Sequence, residues 1–138
     1  MKALLHIPQF KNVAALLFIT LLTVSAQAAI KPRADVTLSE AYAEAQQVAA
    51  MDADWYVTAA DGRSMAPFYD ADSVLVVDRA PFAELKSGMI VVYRDSDGDL
   101  VGHRLVAKEG SNWVARGIQN GGNDPCLVTP ANYEGVVF

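Results

Sequence analysis

Short β-rich runs separated by turn-forming residues dominate the chain after residue 54, and they restrict its fold more than any other feature. Valine, isoleucine and aromatic residues favour strands, whereas the glycine, proline and aspartate residues between them favour turns. The runs lie at 55–58, 74–77, 89–93, 100–106, 112–115 and 133–138. Strands at this close spacing predict a mainly β domain, either a coiled antiparallel sheet or a partly closed barrel.

The segment 95–99 (DSDGD) predicts one strand pairing directly. An Asp-Gly pair between two β-rich runs is typical of a hairpin turn, so 90–94 and 100–106 should pair. Alternation along the second strand places Val101, His103 and Leu105 on one face. A histidine between two aliphatic residues is either a core histidine or a buried base, and no other histidine follows residue 28.

One helix is predicted before the β domain. Thr37 and Glu40 have the spacing of a capping box, and the following residues through Met51 are rich in helix formers. The predicted helix covers 38–51. Its expected packing stripe consists of Leu38, Tyr42, Ala45, Val48 and Ala49.

The N-terminal 30 residues have the pattern of an export signal. Lysines flank a polar start, 13–24 is apolar, and small residues follow at 25–29. A basic region, a short apolar region and an Ala-x-Ala ending predict a signal peptide over 1–28. The alternative is an uncleaved membrane anchor extended through Ile30. Either prediction places the protein outside the cytoplasm, secreted, periplasmic or tethered to the membrane.

These patterns divide the chain into three parts: the signal peptide or anchor at 1–28, a linker and helix at 29–54, and the β domain at 55–138.

After residue 28 there are nine basic and 16 acidic side chains, a net charge of −7. That balance argues against a nucleic-acid partner. Cys126 is the lone cysteine and is interpreted as structural. No Cys/His cluster has metal-ligand spacing, so neither a zinc site nor another cofactor is predicted.

Ser64 lies in the segment 61–67 (DGRSMAP), where glycine and proline favour a tight turn. Its hydroxyl is either that of an ordinary loop serine or a nucleophile with backbone N–H groups nearby for an oxyanion. A serine nucleophile needs a base, and His103 is the candidate. A working pair requires Ser64 Oγ within about 5 Å of a ring nitrogen.

Asp124 ends the glycine- and asparagine-rich loop 117–124. It is either a loop-capping residue or the carboxylate that orients the imidazole of a Ser-His-Asp arrangement. Other acidic residues compete for that role, namely Asp70, Asp72 and Asp78.

Taken in order, these motifs resemble those of the signal peptidase I / LexA-like serine peptidases, over residues 55–138. The likeness is carried by Gly62-x-Ser64-Met65-x-Pro67, by Leu85-x-x-Gly88-x-Ile90-Val91-Val92-Tyr93, by His103-Arg104-Leu105-Val106, and by Trp113, Gly117-x-x-Asn120 and Asp124. Most members use a lysine base. The endoplasmic-reticulum and archaeal type uses histidine with a downstream aspartate, and this chain is similar to that Ser/His type.

The resemblance implies Ser64 as nucleophile, His103 as general base and Asp124 as orienting acid. The oxyanion would bind backbone N–H groups such as that of Ser64, because Gly62 replaces the usual serine donor. The implied substrate is an extended polypeptide with small residues near the cut, bound beside a strand edge. Three residues near the nucleophile either line its shallow pockets, touch a membrane surface or belong to the core: Met65, Phe68 and Tyr69.

The chain also departs from the family pattern. Ala71-Asp72 and Gly88-Met89 stand where Gly-Asp pairs are common, and the 117–120 loop is altered. A catalytically inactive extracytoplasmic domain acting in binding or assembly is therefore the alternative hypothesis. Self-processing at the small residues 26–29 is a third. No helix-turn-helix precedes the domain, so a LexA-type repressor role is not expected.

Overall fold

The computed structural model describes residues 36–138. One α-helix, α1 (Leu38–Ala49), precedes six strands. The strands are β1 (Trp55–Ala59), β2 (Val74–Asp78), β3 (Ile90–Arg94), β4 (Leu100–Glu109), β5 (Asn112–Arg116) and β6 (Tyr133–Val137), and a short 3₁₀ turn spans Phe82–Glu84. The described part of the chain is therefore mainly β, as the sequence predicts.

All six strands form one antiparallel sheet in the order β1-β2-β6-β3-β4-β5. β1 and β5 are its two ends, so the sheet is not closed into a barrel. The predicted hairpin is confirmed: Ile90 pairs with Arg104 and Arg94 with Leu100. The Asp95 N–H donates to the Asp99 carbonyl across the turn, at 3.0 Å.

The core lies against one face of β3, β4 and β5. Its buried side chains are Leu85, Val91, Tyr93, Leu105, Trp113, Ala115 and Val128, with Cys126 partly buried beside them. His103 and Leu105, two residues apart on β4, are both buried. Because side chains alternate along a strand, His103 lies on the same core-facing side of β4 as Leu105. His103 is thus held on a strand that packs against the core.

The helix begins where the capping box predicts. Thr37 Oγ1 accepts the Glu40 N–H at 3.2 Å, and Glu40 Oε2 accepts the Thr37 N–H at 2.8 Å. The helix ends at Ala49, two residues before the predicted Met51. The helix residues that are at least partly buried are Ala41, Ala45 and Ala49. Three other members of the expected stripe lie beside them and stay 37–46% exposed: Leu38, Tyr42 and Val48.

The short alanine side chains are the physical reason for this difference, because they let the helix backbone approach the sheet closely. The signal-peptide or anchor prediction for 1–28 lies outside the described residues, as does the start of the linker at 29–35. Within 36–138, no helix combines the length and apolar character needed to cross a membrane.

Candidate functional site

Ser64 lies in a tight turn between β1 and β2. The turn is closed by the Ala66 N–H, which donates to the Arg63 carbonyl at 3.1 Å. Met65, the next residue, is 1% exposed and anchors the turn in the protein interior. The Ser64 side chain remains at the surface of a cavity. The turn thus leaves Ser64 half-buried, with its hydroxyl at the cavity.

The structure brings Ser64 and His103 together. Ser64 Oγ lies 2.8 Å from His103 Nε2, a hydrogen-bond distance between groups 39 residues apart in the sequence. His103 belongs to β4, opposite Val91 of β3, and only 9% of it is exposed. The distance is well inside the limit of about 5 Å for a nucleophile–base pair.

Asp124, one of the four candidate acids, is bonded to the same histidine. His103 Nδ1 lies 2.7 Å from Asp124 Oδ2, and the aspartate side chain is 8% exposed. An ionised carboxylate only accepts hydrogen bonds, so the proton lies on Nδ1 of the neutral imidazole. Nε2 then carries a lone pair directed at the Ser64 hydroxyl. This is the tautomer that a general base needs.

A tyrosine completes the surroundings of the carboxylate. The Tyr93 hydroxyl donates to Asp124 Oδ2 at 2.7 Å. Burial alone would raise the pKa of Asp124, but hydrogen bonds from His103 and Tyr93 and the nearby imidazole lower it below its usual range. Asp124 therefore stays ionised at neutral pH. Burial, followed by the bond to Asp124, raises the pKa of Tyr93, which keeps the proton on the tyrosine oxygen.

A cavity of about 280 Å³ opens on the Ser64–His103 pair. Its walls come from residues 58–62, at the end of β1 and just after it, and from 100–103 at the start of β4, with Tyr69, Leu75 and Val92 completing the lining. β1 pairs only with β2 within the described sheet, so its other edge has no strand partner there. Residues of this edge strand therefore form part of the cavity wall.

Tyr69 is part of the lining of this cavity. Its hydroxyl donates to the Gly102 carbonyl at 2.5 Å, next to His103. A Cβ atom at residue 102 would lie 2.5 Å from the same hydroxyl, so only glycine fits there beside the tyrosine. Burial raises the pKa of Tyr69 to about 12, so the hydroxyl stays protonated and keeps donating.

The predicted oxyanion residues occupy an open position. Within residues 36–138 the Ser64 N–H donates to no backbone acceptor. Gly62 lines the cavity, and a Cβ atom there would have no neighbour within 4 Å. Backbone N–H groups that point at a developing negative charge are a common form of oxyanion stabilisation.

The three residues suggested for shallow pockets lie in different places. Tyr69 lines the cavity, as just described. Met65 is buried in the interior, so it does not line this cavity, because the turn directs its side chain inward. Phe68 is 66% exposed and lies outside the cavity lining.

Two contributors were not singled out from the sequence. Tyr93 lies opposite Val101 in the hairpin, so it shares the face of β4 residues Val101, His103 and Leu105. A hairpin register worked out from the turn would have been the available signal. Gln119 carried no comparable signal: its N–H donates to the Ser64 carbonyl and its Nε2 to the Ala66 carbonyl, each at 2.8 Å. These bonds fasten the 117–124 loop to the serine turn.

Comparison of the chain with protein-family models, with curated proteins and with solved structures finds no match.

Proposed function

We propose that residues 55–138 form a serine endopeptidase domain of the signal peptidase I / LexA-like type, in its Ser/His form. The observation that carries this proposal is the chain of contacts from Ser64 Oγ to His103 Nε2, at 2.8 Å, and from His103 Nδ1 to Asp124 Oδ2, at 2.7 Å. A serine or a histidine with a purely structural role does not require both of these contacts. The order of motifs along the sequence supports the same assignment.

The chemistry follows from these contacts. His103 Nε2 takes the Ser64 proton while Oγ attacks the carbonyl carbon of a peptide bond. The ionised Asp124 stabilises the imidazolium that forms, and the Ser64 N–H donates to the oxyanion. The imidazolium then protonates the leaving amine as the C–N bond breaks. Water, deprotonated by His103, hydrolyses the acyl-enzyme and restores the serine.

The proposed substrate is an extended polypeptide with small residues near the cut. The free edge beyond β1 can pair with an added strand, a common mode of peptide binding. The space at the Ser64–His103 pair is about 280 Å³, and Tyr69 is part of its lining. The preference for small residues near the cut is what the family resemblance implies.

Location and membrane contact remain part of the proposal. An export signal at 1–28 would deliver the domain outside the cytoplasm, and the alternative anchor would tether it to a membrane. Mass spectrometry of the mature N-terminus distinguishes these two. Phe68, 66% exposed beside the nucleophile turn, is the side chain proposed to touch a membrane surface.

The central experiment measures cleavage of an Ala-x-Ala peptide. We expect the wild-type protein to cleave it, and Ser64→Ala and His103→Ala to lose activity about 10³-fold or more. The matched control is Ser111→Ala, which removes an exposed hydroxyl in the β4–β5 turn. Equal cleavage by all four proteins would exclude Ser64 and His103 as the catalytic pair. Peptide binding without cleavage would favour the inactive binding domain instead.

A further inference from the structure

Tyr93 connects the protein core to the catalytic carboxylate. Its side chain is 1% exposed and belongs to the core cluster with Leu105 and Trp113. Its hydroxyl is the only polar part of the ring, and it donates to Asp124 Oδ2 at 2.7 Å. That oxygen also lies 2.7 Å from His103 Nδ1. One carboxylate oxygen thus receives both hydrogen bonds.

The carboxylate needs such a support because of where it lies. Asp124 ends an irregular loop that contains Gly121 and Gly122, neither of which has packing neighbours at its Cβ position. The Asp124 N–H donates to the Ala115 carbonyl, which holds the backbone. That bond does not determine the rotation of the carboxylate group. The rotation of the carboxylate is determined by the hydroxyl of Tyr93, whose side chain is fixed in the core.

The strand that carries Tyr93 is irregular at this residue. The pairing of β3 with β6 shifts register between Val92, opposite Gly135, and Tyr93, opposite Tyr133. Bulges of this kind are frequent next to active sites, where they redirect a side chain. Leaving the buried Tyr93 hydroxyl without a partner would cost free energy, so the Tyr93–Asp124 bond stabilises both the tyrosine and the carboxylate.

We propose that Tyr93 is a positioning residue of the Ser64–His103–Asp124 site, which holds the Asp124 carboxylate in the orientation that binds His103 Nδ1. This role rests on the proposed function. Tyr93 touches neither the serine nor the cavity; it acts through Asp124. Without its hydroxyl the carboxylate is free to rotate, and the histidine loses its fixed tautomer and orientation.

The kinetic test compares Tyr93→Phe with Tyr133→Phe. Tyr133 is the matched control, because it is the cross-strand neighbour and its hydroxyl donates to a backbone carbonyl, that of Ala80, at 2.9 Å. We expect Tyr93→Phe to lower kcat about 10-fold to 100-fold with little change in KM, as for a lost bond to a charged group. Tyr133→Phe should retain the wild-type kcat.

A double-variant cycle separates positioning from general structural damage. If Tyr93 acts through Asp124, then Tyr93→Phe should lower kcat by less than about 3-fold in an Asp124→Ala background. An equal loss in both backgrounds would show that the tyrosine acts independently of the aspartate and would overturn the proposal.

A spectroscopic test does not depend on activity. The full chain contains only His6 and His103, so a His6→Gln background leaves one imidazole for NMR. We expect a protected, downfield Nδ1–H signal in the parent and in Tyr133→Phe, and its loss or displacement in Tyr93→Phe. An unchanged signal and tautomer in Tyr93→Phe would overturn the positioning role. A protein with this signal but no cleavage of any peptide would instead overturn the proposed function alone.

Discussion

Replacing Gly117 by alanine tests whether the loop–turn contact sets the catalytic geometry. A Cβ atom at Gly117 would lie 2.9 Å from Ser64 Cβ and 2.7 Å from Asn120 Nδ2, whereas ordinary contact begins at 3.4 Å. The exposed Asn120 side chain can rotate away. Ser64 Cβ cannot, because it is attached directly to a backbone held by Gln119. Removing the overlap between the added Cβ atom and Ser64 Cβ therefore requires the serine to move by about 0.5 Å, the difference between 3.4 and 2.9 Å.

That displacement is large on the scale of the catalytic contact. Ser64 Oγ and His103 Nε2 are 2.8 Å apart, so a shift of about 0.5 Å takes the pair to the limit of a good hydrogen bond. A misplacement of about 1 Å can cost about 100-fold in rate, and half that distance scales to about 10-fold. We expect Gly117→Ala to lower kcat about 10-fold with a folded, cooperative domain, because overpacking costs only about 1–3 kcal/mol.

The assay is peptide cleavage, with thermal unfolding measured on the same samples. Gly121→Ala is the control, since it lies in the same loop and its Cβ would have no neighbour within 4 Å. It should keep the wild-type kcat. If Gly117→Ala is as active as Gly121→Ala, then the serine does not depend on the loop contact and the reasoning fails.

Three further predictions concern pH and core packing. A histidine base accepts a proton only in its neutral form, so kcat/KM should fall as the pH is lowered; a profile flat from pH 5 to 9 would contradict His103 as the base. Despite burial, bonds from His103 and Tyr93 hold the pKa of Asp124 low, so its contribution to stability is present above about pH 4 and lost only as pH falls through that lowered pKa. In urea unfolding, Leu105→Ala should lower the free energy of unfolding by about 3 kcal/mol, because Leu105 is fully buried. Leu100→Ala should lower it by less than about 1 kcal/mol, because Leu100 is 46% exposed. Equal losses would contradict the assigned core.

Local patterns predicted the local structure well. The Asp-Gly turn identified the β3–β4 hairpin, because a short loop between two β-rich runs leaves few ways to arrange them. Alternation then placed His103 and Leu105 on the buried face. The Thr37–Glu40 spacing identified the helix start, since both capping bonds are made within four residues.

The order of the strands could not be predicted in the same way. β6 is last in the sequence but lies between β2 and β3. Hydrophobic alternation determines which face of a strand is buried, but it does not determine which strand lies alongside. The choice among the four acidic candidates had the same limit, because Asp124 reaches His103 through a loop whose path depends on contacts with a distant turn.

The site is built from parts whose relative positions the sheet alone does not determine. His103 is fixed by β4, but Ser64 lies on a turn and Asp124 on a loop. Besides the Ser64–His103 and His103–Asp124 contacts themselves, three hydrogen bonds hold the turn and the loop in place: Gln119 N–H to the Ser64 carbonyl, Gln119 Nε2 to the Ala66 carbonyl, and Tyr93 to Asp124. A variant can therefore keep the whole sheet and still lose the catalytic geometry. It follows that stability and activity should separate most clearly at Gly117 and Tyr93. Truncation of a core side chain such as Leu105 should instead lower both together.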